Sequence, residues 1–211
     1  MAHVLILGGT GLVGGEALQR ALREPRVEWV IAPTRRALPE DQKLRNPVAS
    51  KLDALLADAA GWAVDAVICA LGTTMKKAGS KEAFRHVDYE LPLAFGRLAC
   101  QAGANTFCLT SSKGASPTSP FFYTRTKGEL ERDIAQIGFR SLLIVRPGII
   151  GGHRAESRPG ERFALRLTAL LSPVLPRGLR VSRASRIAEV LVEGAVAPVP
   201  GVHVVGSESL V

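Results

Sequence analysis

Ser111-Ser112 is followed by a short loop and then by Tyr123-Thr-Arg-Thr-Lys127. A hydroxyl donor, a phenol and an ammonium one helical turn beyond it are the parts needed to give a proton to a carbonyl oxygen while hydride arrives from a nicotinamide ring. Tyr123 and Lys127 share one face if they lie on a helix, and positive charge beside a phenol makes it a better acid–base group. Ser112, just past an apolar run, is placed to hydrogen-bond the substrate oxygen. Ser111 stands beside it, and the sequence leaves open which of the two faces inward.

Such chemistry needs a nicotinamide dinucleotide, and the chain opens with a means of holding one. The apolar segment His3–Leu7 runs into Gly8-Gly9-Thr10-Gly11-Leu12-Val13-Gly14. In Gly8-x-x-Gly11-x-x-Gly14 the first glycine permits a tight turn, the second lets backbone approach a pyrophosphate, and the third allows close helix–strand packing. A helix that begins here turns unpaired N–H groups and a partial positive charge toward the phosphates.

Pro33-Thr34-Arg35-Arg36 follows the second apolar run, where an acid would accept a free ribose hydroxyl and an arginine would pair with a 2′-phosphate. With no carboxylate there and two guanidiniums, the expected cofactor is NADP(H). After a further buried strand, the small-residue turn Ala70-Leu71-Gly72-Thr73 lets the chain pass close to the adenosine ribose and diphosphate.

Positioning these groups takes alternating strands and helices. His3–Leu7, Trp29–Ala32, Val64–Leu71, Thr106–Thr110, Ser141–Val145 and Val202–Val205 are predicted strands. Gly14–Leu22, Phe84–Ala102, Thr124–Ile137 and Arg186–Ala195 are predicted helices. The alternation calls for an α/β fold, a doubly wound, Rossmann-like parallel sheet with helices on both faces. A single domain over residues 1–211 is expected. Ala37–Asn46, Gly114–Pro120 and His153–Gly160 are predicted loops at the carboxyl ends of strands, where such folds bind ligands. Phe163–Leu175 is predicted to form a short helix over the substrate cleft or a dimer face.

Composition bounds the partners. The chain has 211 residues, 46% hydrophobic and 22% charged, and its longest apolar runs fall short of a membrane span. The net charge of +8 comes from scattered arginines without a lysine-rich tail, zinc spacing or aromatic–basic interleaving, which argues against a nucleic-acid partner. A basic mouth for an anionic cofactor accounts for part of the charge. Cys69, Cys100 and Cys108 stand in apolar contexts as reduced core thiols, and the four histidines lack metal-ligand spacing. Because the first strand begins at once, with no leader pattern ahead of it, a cytoplasmic protein is expected.

These residues resemble the short-chain dehydrogenase/reductase superfamily, whose atypical members carry this glycine pattern, a serine after strand five and Tyr-x-x-x-Lys. Leu71-Gly-Thr-Thr74, Ser111-Ser-Lys-Gly-Ala115, Tyr123–Glu129 and Arg146-Pro-Gly148 with Glu156-Ser-Arg-Pro-Gly-Glu161 look more narrowly like its Tat-interacting-protein group. The resemblance implies a Rossmann fold, NADPH binding, and Pro147-Gly148-Ile149 against the nicotinamide. Asp88 occupies the position where typical members carry a catalytic asparagine. Ser50-Lys51-Leu52 stands where relatives place an acid near the adenine, with Leu52 on the cofactor side.

The function expected is an NADP(H)-dependent reductase or dehydrogenase acting on a small carbonyl or alcohol. An alternative is a non-catalytic NADP(H)-binding regulatory module that contacts another protein; a protein partner or homo-oligomer fits either reading. A sugar-nucleotide epimerase is a third reading, against which the missing longer substrate lobe weighs.

Overall fold

The computed structural model describes residues 1–151 and 181–211. Seven strands form one parallel sheet in the order β3-β2-β1-β4-β5-β6-β9. They are β1 (Ala2–Leu7), β2 (Val27–Ile31), β3 (Leu44–Arg45), β4 (Ala66–Cys69), β5 (Thr106–Thr110), β6 (Ser141–Arg146) and β9 (Gly201–Gly206). Two short strands, β7 (Ile150–Gly151) and β8 (Ser182–Arg183), pair separately. The strand order reverses beside β1, with β2 to one side and β4 to the other, which creates a crevice at the carboxyl ends of the strands.

The central strands read as continuous apolar runs because both faces are covered. In β1, Val4 and Ile6 pack with α1 (Leu12–Arg23) and α7 (Ala184–Val196), while Leu5 and Leu7 face the opposite layer. That second layer is formed by α2 (Leu56–Ala59), α5 (Leu91–Gln101) and α6 (Phe122–Ala135). The same alternation sends Ile68 and Cys108 to the first layer and Val67, Cys69, Phe107 and Leu109 to the second. In α1 the buried positions Val13, Gly14, Ala17, Leu18 and Ala21 make one stripe at helical spacing.

The predicted helix Phe84–Ala102 is subdivided. Beyond the short helix α3 (Met75–Ala78) it begins as α4 (Lys81–Arg85), widens into one π-helical turn at His86–Glu90 and continues as α5. Pro92 is the physical cause: it has no N–H for the carbonyl of Asp88, and its ring would collide with that carbonyl in a regular helix. The wider turn lets the Leu91 N–H reach the carbonyl of His86 instead. Asp88 is thereby held in the interior, 1% exposed.

Strand three also differs from expectation. It is the two-residue β3, inside the predicted loop Ala37–Asn46, extended by a lone bridge between Thr34 and Val48. Leu52 opens a 3-10 turn (Leu52–Leu55) instead of ending a strand. Two residues carry no alternation from which a strand can be read.

Candidate functional site

The glycine turn is fixed by backbone sterics. Gly8 has φ +89°, and a Cβ there would lie 2.7 Å from the Ala70 carbonyl carbon, so only glycine permits the turn to lie on the exit of β4. A Cβ on Gly14 would lie 2.1 Å from the Gly8 carbonyl oxygen, which sets how closely α1 approaches the turn. At Gly11 the nearest atom to such a Cβ is the Gly8 oxygen at 3.2 Å, and the residue is exposed. Gly11 is the N-cap of α1, with no side-chain cap and no acid in the first turn. Thr10 is exposed, Leu12 half-buried and Val13 buried, so Val13 contributes to the core with its side chain and to the open end of the helix only with its backbone. An uncapped, acid-free helix end behind an open glycine suits a pyrophosphate.

Arg35 and Arg36 are exposed on the turn after β2. Asn46 frames that turn: its Nδ2 donates to the Ala32 carbonyl at 2.6 Å and to Thr34 Oγ1 at 2.8 Å, and its Oδ1 accepts from the Leu38 N–H at 2.8 Å. Thr34 Oγ1 donates in turn to the Arg36 carbonyl at 2.6 Å. Leu52 is half-buried against the α2–α5–α6 layer. Beside it, His86 lies between Asp53, at 3.0 Å, and Glu90, at 2.8 Å; these carboxylates hold its pKa above the ordinary value.

The exit of β4 joins the two halves of the site. Ala70 and Leu71 touch Gly8, while a Cβ on Gly72 would lie 3.4 Å from Asp88 Oδ1 and 3.9 Å from Lys127 Nζ. Asp88 accepts the Thr73 N–H at 2.7 Å through Oδ2 and faces the Lys127 ammonium at 2.8 Å through Oδ1. Lys127 is buried. Burial opposes its charge, but the attraction of Asp88, followed by that of Tyr123, outweighs burial and raises its pKa above the ordinary lysine value. One helical turn back, Tyr123 is 40% exposed with its ring 5.7 Å from that of Phe84.

The serines separate by burial. Ser112 is partly exposed, and its hydroxyl donates to the Lys113 carbonyl at 3.3 Å, a long bond that a better acceptor can replace. Ser111 is buried and its hydroxyl has no partner among the described residues. The loop beyond them is clamped to α6. Gly128 makes this contact possible, since a Cβ there would lie 2.1 Å from the Ser116 carbonyl carbon. The Ser116 N–H donates to the Thr124 carbonyl at 3.1 Å, and the Arg125 guanidinium donates to the Ser119 carbonyl at 2.9 Å.

Polar bolts hold α6 in place. Arg85 pairs with Glu129 and stacks on Tyr89, whose hydroxyl donates to Asp133 at 2.6 Å. At the end of β6, Arg146 donates through Nε to buried Glu131 at 3.0 Å. Pro147, buried, Gly148, half-buried, and exposed Ile149 follow, and the Pro147 carbonyl accepts the Lys113 N–H at 2.8 Å. The sequence reading missed Asn46, Gly128, Glu131 and the π turn. Only Gly128, a glycine inside a helical pattern, and Pro92 carried a signal that could have found their sites. The predicted loop His153–Gly160, the motif Glu156–Glu161 and the predicted helix Phe163–Leu175 lie outside the described residues.

Sheet, switch point and glycine turn define a Rossmann-like α/β fold of the kind found in short-chain dehydrogenases and epimerases. Solved structures agree on the fold. The Bordetella bronchiseptica enzyme WbmG in complex with NAD superposes with TM-score 0.72 at 15% identity, over 98% of this chain and 73% of that one. A short chain dehydrogenase family protein from Francisella tularensis gives 0.65 at 15% identity, over 99% and 98%. The UDP-glucose 4-epimerase of Thermotoga maritima gives 0.69 at 13% identity, over 98% and 77%.

The chain belongs to the HIM1 family, whose model matches residues 42–172. It is similar to the mitochondrial protein fmp52 of Emericella nidulans, 37% identical over 174 residues, which cover 78% of this chain and 73% of that protein. Fmp52 of Aspergillus fumigatus is 34% identical over 227 aligned positions, covering all of this chain and 94% of that protein. Saccharomyces cerevisiae FMP52 is 35% identical over 79% of this chain and 73% of its own length. These names correct the expectation of a cytoplasmic protein, because they place the relatives in the mitochondrion. The expectation rested on a strand beginning near the first residue, which says nothing about where a protein resides. Among the described residues no helix is long and apolar enough to cross a membrane.

Proposed function

We propose that this protein is an NADP(H)-dependent oxidoreductase acting on a small carbonyl or alcohol. One observation carries the proposal: a single backbone stretch, Ala70–Gly72, touches the open glycine turn at one end and the buried Asp88–Lys127 pair at the other. A dinucleotide laid along that stretch would have its pyrophosphate at Gly11–Val13 and its nicotinamide end toward Lys127, Tyr123 and Pro147–Ile149. Arg35 and Arg36, without a competing carboxylate on their turn, would take a 2′-phosphate, and Leu52 would lie on the adenine side. The likeness of Leu71–Thr74, Ser111–Ala115 and Tyr123–Glu129 to the Tat-interacting-protein group supports the same reading.

The bound nicotinamide would supply or accept hydride. Tyr123 would hold the transferred proton on its exposed phenol, giving it to a carbonyl oxygen in reduction and taking it from an alcohol in oxidation. Lys127 would stabilise the phenolate left behind and bond the ribose hydroxyls. Ser112 would exchange its long bond to the Lys113 carbonyl for one to the substrate oxygen.

NADPH consumption against a broad carbonyl panel tests this. Tyr123→Phe keeps size and packing while removing the donor, so a rate loss on the order of 10² or more is expected with NADPH affinity nearly intact. Lys127→Met should harm both. Tight NADPH binding by a wild type that turns over no carbonyl in the panel would replace the enzyme with a regulatory nucleotide-binding module.

A further inference from the structure

Asp88 stands where typical members of the superfamily that the sequence resembles carry an asparagine, and the structure gives that difference a chemical content. An asparagine has a single carbonyl oxygen, so it could accept the Thr73 N–H or face Lys127 with an oxygen but not do both, and it carries no charge. Asp88 does both with a carboxylate that is 1% exposed, facing an ammonium whose side chain is 5% exposed. A buried lysine without a counter-charge loses its proton readily, because desolvation penalises the charged form. Among the described residues, the groups that act most strongly on the Lys127 ammonium are Asp88 from the π turn, Tyr123 from its own helix and Cys69 from the end of β4. Burial pushes the Cys69 thiol up to about 11, so it is a neutral neighbour near pH 7. The carboxylates of α6 pair elsewhere, Glu129 with Arg85, Glu131 with Arg146 and Asp133 with Arg132.

We propose that Asp88 is a positioning residue, the counter-ion that keeps Lys127 protonated and aimed at the exit of β4. Its two oxygens do separate work. Oδ2 accepts the N–H of Thr73, on the stretch that would run under the dinucleotide, and Oδ1 faces the ammonium at 2.8 Å as its ion-pair partner. Pro92 matters to this arrangement because it opens the turn that carries Asp88 inward. The consequence for binding, though not the counter-ion role itself, rests on the functional reading above. A permanently charged Lys127 would make dinucleotide affinity insensitive to pH through the neutral range.

The first arm of the test needs no cofactor. The Lys127 Nζ resonance is followed by 15N NMR in the full-length apoprotein as pH is raised. In the wild type the ammonium should persist above the ordinary lysine range. Asp88→Asn, nearly isosteric and still able to accept the Thr73 N–H, should bring the titration below that range. An unchanged titration in Asp88→Asn overturns the proposal.

If Asp88→Asn does not fold, the double variant Asp88→Asn/Lys127→Met, which buries neither charge, decides. Its folding supports the counter-ion role, and its failure assigns Asp88 to structure alone. In the second arm, NADPH affinity is titrated against pH. Asp88→Asn should lose about tenfold per pH unit above its own Lys127 titration point, while the wild type stays flat. A shifted NMR titration with pH-independent NADPH affinity upholds the counter-ion and removes Lys127 from the ribose, a failure of the functional reading and not of this proposal.

Discussion

The two halves of the site are built by different physics. At the glycine turn, Gly8 and Gly14 act through the Cβ atoms they lack: the nearest backbone atoms leave 2.7 Å and 2.1 Å for a side chain that would need more than 3 Å. Around α6 the opposite holds. Asp88–Lys127, Glu131–Arg146, Arg85–Glu129 and Tyr89–Asp133 are side-chain pairs brought together from distant elements. A site held by excluded volume fails abruptly when atoms are added. A site held by paired charges fails by degrees, and which partner is removed decides how far.

Substitutions separate the two kinds of construction. The largest effect is expected at Gly14→Val, which must displace the Gly8 carbonyl and with it the mouth of α1. NADPH affinity should fall by about a hundredfold or more with the sheet intact by circular dichroism. Retained affinity in a folded variant would show that the turn is not sterically fixed.

Gly128→Ala extends the steric argument into the polar half, since its Cβ would meet the Ser116 backbone. A loss of about 1–3 kcal/mol is expected in denaturant unfolding, with slower turnover as the Ser112 loop lifts from α6. An unchanged midpoint would refute the clamp.

Arg146→Met tests the charged bolts by leaving Glu131 buried without its partner. The Arg146 side chain is 35% exposed, so solvent reaches the pair and a cost of about 1–2 kcal/mol is expected, below that of a fully buried one. Glu131→Gln/Arg146→Met should recover part of it, and a double variant no better than the single would count against pairing as the cause.

The smallest effect belongs to the exposed rim. Arg35→Ser/Arg36→Ser should erase a preference for NADPH over NADH of about tenfold, or about 1.4 kcal/mol, leaving NADH affinity nearly unchanged. If the wild type binds the two cofactors equally, the arginines are solvated surface groups and the NADP(H) assignment falls.

The same contrast explains what could be read in advance. Six strands, the glycine turn and the helix carrying Tyr123 and Lys127 were legible because each is written in local pattern: apolar runs, glycine spacing, helical periodicity. The two-residue strands β3, β7 and β8 were not, since their pairing is imposed by neighbours. Pro92 inside a predicted helix was a visible sign of the π turn. That the widened turn would deliver Asp88 to Lys127 was not visible, because the contact joins elements on either side of β5. Asn46 looked like the end of a loop, and only the folded turn shows it bonding Ala32, Thr34 and Leu38 together.

On the proposed function, the steric half and the charged half would meet along Ala70–Gly72 around one nicotinamide dinucleotide. A crystal structure grown with NADP+ tests it most directly. The pyrophosphate should lie against the backbone of Gly11–Val13, the 2′-phosphate between Arg35 and Arg36, and a ribose within hydrogen-bond reach of the Tyr123 hydroxyl and the Lys127 ammonium. A dinucleotide bound elsewhere, or one whose nicotinamide end points away from Tyr123 and Lys127, would contradict it.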